Sequence, residues 1–182
     1  MFVLGSNSPR RKDLLNSIGI KIDFIAGANI DETPLKGEVP REYVKRMAFE
    51  KSIALEKNNK DYLLTADTIV VRGRRIIGKP ATRDQARKFL QLLSGCRHKV
   101  ITSVCLAVNG DRSFRTVETI VKFKCLATEE IEQYLQTNEW TDKAGGYGIQ
   151  GVASVFIPFI SGSYTNVVGL PLTETAALLR GA

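Results

Sequence analysis

The sequence predicts an α/β protein with a mixed, twisted sheet flanked by helices. Three observations predict it. Residues 62–71 form a near-continuous apolar run, the pattern of a strand covered on both faces. Asn109-Gly110 lies between two strand-like stretches and is a two-residue hairpin signal. Residues 40–56 and the stretch after Thr82 repeat their apolar residues at the helical period, so crossovers and hairpins coexist in one chain.

Taken in order, Phe2-Val3-Leu4 reads as a short buried strand. Ser8 suits an N-cap and Pro9 the first helical position. Leu14, Leu15 and Ile18 form that helix's apolar face, and Gly19 ends it. Residues 23–26 read as a second strand, and residues 27–39 as a loop carrying Asp31-Glu32. The helix over 40–56 has a stripe of Val44, Met47, Ala48, Lys51, Ala54 and Leu55. Lys51 falls there where spacing calls for a hydrophobe. The strand at 62–71 is interrupted by Asp67, and Arg72-Gly73-Arg74 turns the chain into Arg75-Ile76-Ile77. Thr82 caps a helix, with Gln85 completing a capping box. Ala86, Phe89, Leu90 and Leu93 are its buried side, and Gly95 stops it. Residues 99–108 and 116–125 are the hairpin strands, with Val117, Thr119, Val121 and Phe123 on one face. Thr128 caps an acidic helix running to Leu135. A glycine-rich loop covers 142–151, residues 152–157 read as a strand, Val167-Val168 as a shorter one, and 173–179 as a closing helix.

The 182 residues suffice for one domain with a sizeable core, in two lobes. No apolar run approaches the ~20 residues that span a bilayer. Met1-Phe2-Val3-Leu4-Gly5 lacks the basic start of a signal peptide, so the expected location is the cytoplasm. Cys96, Cys105 and Cys125 are odd in number and widely spaced, which fits reduced thiols and argues against a disulfide framework or a zinc site. The only histidine, His98, cannot build a Ser-His-Asp triad or a His-based metal site alone. Acid–base or metal chemistry must then rest on Asp, Glu and Lys. The net charge of +7 is uneven: residues 61–124 carry 13 Lys/Arg against 5 Asp/Glu, and residues 125–182 carry 2 against 6. A basic centre fits a polyanion partner, either a triphosphate or a nucleic acid, as well as a solvated face.

Asp67 carries the first chemical signal. A carboxylate inside an apolar strand must be paired, hydrogen-bonded, protonated or metal-bound. It is either a structural cap on the turn that follows or part of a site with the loop carboxylates Asp31 and Glu32. Oxygen ligands of this kind suit Mg²⁺ or Mn²⁺, which complete their shells with water and substrate phosphates. Lys51 either snorkels or presents an ammonium to a phosphate at a cleft. Lys79, in Gly78-Lys79-Pro80, is a turn lysine or a second such group. Arg10 and Arg11 occupy a first helical turn, against the macrodipole, which points to a held anion or to plain solvation. The glycines of 145–151 lack a P-loop ending but permit close approach to a flat ligand. Metal-assisted attack of water on a phosphate fits this inventory best.

Together these motifs resemble the Maf family of nucleoside triphosphate pyrophosphatases. The matching pieces are Ser8-Pro9-Arg10-Arg11 with Leu14-Leu15; Asp31-Glu32; Glu50-Lys51; Ala66-Asp67-Thr68; Gly78-Lys79-Pro80; Leu93-Ser94-Gly95 with His98-Lys99-Val100; Asp142-Lys143-Ala144-Gly145 with Tyr147-Gly148-Ile149-Gln150-Gly151; and Gly162-Ser163-Tyr164 with Val168-Gly169-Leu170-Pro171. They appear in family order over nearly the whole chain. The resemblance implies hydrolysis between the α- and β-phosphates, a divalent metal, an elongated fold related to inosine triphosphate pyrophosphatases, and often a homodimer. By position, Asp67 matches the catalytic carboxylate and Glu32 a second acidic residue at the metal. Lys51 and Lys79 match phosphate-side lysines, and Ser8, Arg10 and Arg11 the phosphate-binding helix start. Thr68 and Gln150 resemble the pyrimidine branch, acting on dTTP and UTP, rather than the 7-methyl-GTP branch.

Gly146 stands where the family more commonly has alanine, Ser103 where a small Gly or Ala is usual, and Gly5-Ser6-Asn7 where Ala-Ser-Ser is usual. The family's name comes from an association with septum formation, and the basic middle leaves a nucleic-acid-binding regulator as an alternative. No groove-reading motif supports that alternative. A purine-directed enzyme acting on ITP or XTP is a further alternative.

Overall fold

The computed structural model describes residues 1–56 and 61–182. The strands are β1 (Phe2–Gly5), β2 (Phe24–Ile25), β3 (Tyr62–Arg72), β4 (Arg75–Ile77), β5 (Arg97–Val108), β6 (Asp111–Lys122) and β7 (Phe159–Ser161). The helices are α1 (Pro9–Ser17), α2 (Pro40–Leu55), α3 (Arg83–Leu93), α4 (Thr128–Gln136), α5 (Tyr164–Val168) and α6 (Leu172–Arg180). Among the described residues one seven-stranded mixed sheet runs β2-β1-β3-β5-β6-β7, with β4 also on β3. β1 is parallel to β2 and β3, and the remaining pairs are antiparallel. The mixed α/β sheet is therefore as the sequence predicts.

Asn109 and Gly110 both take positive φ, 53° and 85°, the geometry of a primed two-residue turn. That turn lets pairing begin at once, Val108 opposite Asp111, so β6 starts earlier than the expected residue 116. Along β3 and β5 the even and odd residues face opposite layers. Leu64 and Ala66, with Val104 and Leu106 across from them, pack under α1 and α6. Further along that same face, Val70 and Val100 join the core built by α3 and α4. The odd face, with Ile69, Val71 and Ile101, is covered by Tyr43, Val44 and Met47 of α2. Between the two apolar clusters of the even face runs a polar belt. Thr68 Oγ1 lies 2.9 Å from Thr102 Oγ1, Thr102 donates to the Asn166 carbonyl, and the Asn166 amide donates to the Val100 carbonyl and Thr119 Oγ1.

Several expectations are corrected. Residues 152–157 do not form a strand: residues Val152–Phe156 are a 3₁₀ helix. Ala153 and Phe156, three apart, are buried, while Val155 is 65% exposed, the spacing of a three-residue turn. Val167-Val168 is not a strand but the end of α5, which Ser163 caps by accepting from the Asn166 N–H. β7 lies instead at Phe159–Ser161, against the end of β6. Ser8 stands at the N-cap of α1, yet its side chain makes no cap hydrogen bond. Ile18 falls just past α1 as the chain turns, and is exposed rather than on its apolar face. Ala54 is exposed too, and Ser52 takes the buried position near the end of α2. The N-cap of α4 is Ala127, not Thr128, because the Glu130 carboxylate accepts the Ala127 N–H. The cap of α3 is as expected, with Thr82 accepting from the Gln85 N–H, although the Gln85 side chain reaches Ala81 rather than Thr82.

Candidate active site

A cleft of about 700 Å³ opens over the middle of β3. On the side of β3 away from β5, β1 pairs only with residues 62–65 and β4 only with residues 70–72. Residues 66–69 have no strand partner there among the described residues, and they line the cleft. Asp67 and Thr68 point to opposite faces, yet both reach the cleft across this gap. A regular strand carrying both residues to one ligand would have to end or bend at Asp67; instead β3 continues unbroken to Arg72, and its edge is left open.

On the odd face, Lys51 Nζ sits 2.6 Å from Asp67 Oδ1 and 2.7 Å from Glu32 Oε1. Lys51 and Asp67 are each only 13% exposed at the side chain. The unexpected lysine on the apolar stripe of α2 is thus the bridge between two carboxylates. Glu32 is brought there by its loop, whose backbone carbonyl at Glu32 accepts from the Tyr43 hydroxyl at 2.7 Å. Tyr43 carried no signal in the sequence beyond its place on α2. Asp31 does not join the site: its carboxylate accepts the Thr33 N–H and shapes the loop. Burial raises the Asp67 carboxyl above its ordinary range, opposed by Lys51 and Arg11. Burial also pushes Glu32 upward, but the Lys51 contact, with Lys79 and Arg11, leaves it below its ordinary range. Burial raises the Tyr43 hydroxyl to about 12, helped by the charges of Asp67 and Glu32.

On the even face Arg11 ties together β3 and the segments that follow β1 and α5. Its Nη1 donates to Ser6 Oγ at 2.8 Å, its Nη2 to Thr68 Oγ1 at 3.1 Å, and its Nε to the Gly169 carbonyl at 2.9 Å. Both site residues named from the sequence at this point, Arg11 and Thr68, are therefore engaged with each other. Ser8 and Arg10 line the cleft at the start of α1. Ser8 does not cap and Pro9 has no N–H, so the N–H groups of Arg10 and Arg11 have no capping partner among the described residues. Lys79 and Gln150 line the cleft as well, with no ion pair or side-chain hydrogen bond among the described residues. The Gly78 carbonyl accepts the Gly145 N–H, tying the loop of Lys79 to the loop of Gln150. Glu139 completes that loop by accepting the Val152 N–H. The sequence reading missed Glu139, Asp142 and Lys143 as cleft residues. Lys143 was legible only as a member of a motif.

Three of the departures from the family pattern, Gly5, Asn7 and Ser103, lie in close contact with their neighbours. A Cβ at Gly5 would stand 2.5 Å from Thr65 Cγ2, so alanine does not fit beside that threonine. The Asn7 side chain lies where a Cβ on Gly27 would be. Ser103 is buried and shares a hydrogen bond with Thr116.

A family model described as Maf-like protein matches residues 1–182. This chain belongs to the Maf-like family. It is 53% identical over 182 residues to a dTTP/UTP pyrophosphatase of Roseobacter denitrificans, covering 100% of this chain and 97% of that one. It is 50% identical over 184 residues to a protein of the same name from Zymomonas mobilis, covering 99% and 90%. Among solved structures it resembles a HAM1 protein from Coxiella burnetii, with a TM-score of 0.54 at 14% identity over 100% of this chain and 98% of that one. That likeness establishes the fold of this Maf-like chain and nothing about its chemistry.

Proposed function

We propose that this protein is a nucleoside triphosphate pyrophosphatase that hydrolyses dTTP and UTP to the monophosphate and pyrophosphate. The observation that carries the reading is the Glu32–Lys51–Asp67 bridge, set in a cleft whose Arg10, Arg11, Lys79 and Lys143 have no carboxylate ion pair among the described residues. Cations lining a cleft without partners suit a polyphosphate. The names of the relatives, at about half identity over the full chain, support dTTP and UTP.

Asp67 receives the proton of the attacking water. Lys51 engages Oδ1, and no described residue bonds Oδ2, which is open to that water. The raised carboxyl brings Asp67 closer to the working pH, as a general base requires. The water oxygen bonds to the α-phosphorus, and the bond to the oxygen bridging toward the β-phosphate breaks. Lys51, Lys79 and Arg10 offset the charge that pyrophosphate carries away. Gln150 offers an amide donor and acceptor to the base edge, and Thr68 sets Arg11 beside it. Glu32 and Asp67 both contact the Lys51 ammonium, and two neighbouring carboxylates match the one or two that Mg²⁺ or Mn²⁺ takes, although no set of three metal-ligating side chains occurs among the described residues. Glu32 and Asp67 would hold it, and it supplies positive charge against the phosphate oxygens when bound. A single domain over 1–182, a homodimer and a cytoplasmic location complete the reading. The resemblance supports the homodimer, and no helix among the described residues is long and apolar enough to cross a membrane.

The test is pyrophosphate release across a nucleotide panel with Mg²⁺ or Mn²⁺. Turnover of dTTP and UTP is expected; absence of both sinks the reading, and ITP far above dTTP points to the purine alternative. Asp67→Asn should lower turnover on the order of 10³-fold with the far-UV spectrum unchanged. Sedimentation checks the dimer.

A further inference from the structure

Thr68 sits where β3 has no neighbour on its cleft side, between the last rung to β1, Gly5 opposite Thr65, and the first rung to β4, Val70 opposite Ile77. Main-chain groups of successive residues point to opposite edges of a strand. Three observations fix the phase in β3. The Tyr62 N–H donates to the Met1 carbonyl, so the even residues face the β1 edge. The two-residue turn at Gly73-Arg74, with Gly73 at φ 61°, makes Arg72 and Arg75 a pair that exchanges both hydrogen bonds across the β4 edge. The Asn109-Gly110 turn does the same for Val108 and Asp111, which leaves the odd residues of β5 facing β3, where Ser103 lies opposite Asp67. The N–H and C=O of Thr68 therefore point side by side into the cleft, while those of Asp67 are engaged with β5. Neither Thr68 group has a hydrogen-bond partner among the described residues. A main-chain donor and acceptor left open in the middle of a sheet call for water or a ligand to meet them.

We infer that this main-chain pair of Thr68 is a specificity-determining element that reads the imide edge of thymine or uracil. This rests on the proposed reaction. Ionised phosphate oxygens only accept, so they cannot satisfy the Thr68 carbonyl, which needs an N–H or O–H. The imide edge presents a carbonyl, an N–H and a second carbonyl in a row. Its N3–H donates to the Thr68 carbonyl, and one flanking carbonyl accepts the Thr68 N–H, much as a strand adds to an open sheet edge. The second carbonyl is left for the Gln150 amide. Cytosine has no N3–H and carries its donor and acceptor in the reverse order, so it does not fit the pair in the same orientation. Gly5, Ser6, Gly27 and Ala28 line the cleft beside the gap, and side chains this small let a flat ring approach the main chain.

The experiment measures kcat/KM for UTP, N3-methyl-UTP and CTP with wild type, Gln150→Ala and Thr68→Val. In wild type, N3-methyl-UTP, which has lost the donor, falls at least about 100-fold below UTP, and CTP falls likewise. Both variants lose activity, but each keeps the ratio of UTP to N3-methyl-UTP within about threefold of the wild-type value, because neither alters the main chain. A ratio that collapses in Gln150→Ala or in Thr68→Val gives the reading to that side chain and overturns the inference. Turnover of N3-methyl-UTP as fast as UTP by wild type overturns it as well, and leaves the sugar hydroxyls as donors to the Thr68 carbonyl. If wild type releases no pyrophosphate from UTP or dTTP, the proposed function fails. The dissociation constants of UMP and N3-methyl-UMP, measured by calorimetry, then decide the edge on their own: equal values overturn the inference.

Discussion

Acidification below about pH 6 should destabilise the protein through His98. This side chain is 2% exposed, packed edge-on against Phe123 and Tyr147, with Nε2 2.7 Å from the Tyr147 hydroxyl and Nδ1 without a partner among the described residues. Burial lowers it from 6.5 to about 4. The folded state thus refuses a proton that the unfolded state accepts. Above 6.5 both states are neutral and nothing is lost; between 6.5 and about 4 stability falls; below about 4 both are protonated and the loss levels off. The interval corresponds to about 3 kcal/mol. The perturbation is His98→Gln, which stays neutral and keeps a partner for Tyr147. Urea unfolding at constant ionic strength from pH 7.5 to 4 gives the difference in stability between the two proteins. That difference should shrink by about 3 kcal/mol on acidification, while the titrating carboxylates, common to both, cancel. Parallel curves, within about 0.5 kcal/mol over the whole range, would refute the reasoning.

Two other substitutions probe the supports of the cleft. Gly145 takes φ 74°, and a Cβ there would stand 2.9 Å from Val70 Cγ2, so Gly145→Ala should lower the urea midpoint by about 1–3 kcal/mol equivalent and reduce turnover by moving the Gln150 loop. Arg11→Lys replaces a fork that makes three hydrogen bonds with a point charge that cannot span them; a stability loss of about 2 kcal/mol is expected by the same measurement, and an unchanged midpoint would show that the three contacts contribute little.

Much of the fold was legible because local signals agreed with packing. The Thr82 cap, the Asn109-Gly110 turn and the apolar run of β3 each carry their own geometry. The errors fall where tertiary contacts override local preference. Val152-Ala153-Ser154-Val155-Phe156 is rich in strand formers, yet only Ala153 and Phe156 find a core. Val167 and Val168 are helical because Asn166 anchors that segment to β5 and β6. Within the site, Lys51 was visible as a break in a helical stripe and Asp67 as a break in a strand. Their meeting with Glu32 was not, since it depends on where a long loop closes and on the Tyr43 hydroxyl that ties it down. The threefold engagement of Arg11 joins residues 158 positions apart, a distance that no local pattern spans.

The gap along β3 has a consequence for how the protein behaves among copies of itself. An unpaired strand edge is ordinarily a template on which another chain can polymerise. Here the bare stretch is four residues long and lies inside a pit walled by the start of α1, the Glu32 loop and the 142–151 loop. A foreign strand cannot lie along it, whereas a small molecule can reach main-chain atoms in the centre of the sheet. The same interruption that opens the strand to a ligand also closes it to aggregation.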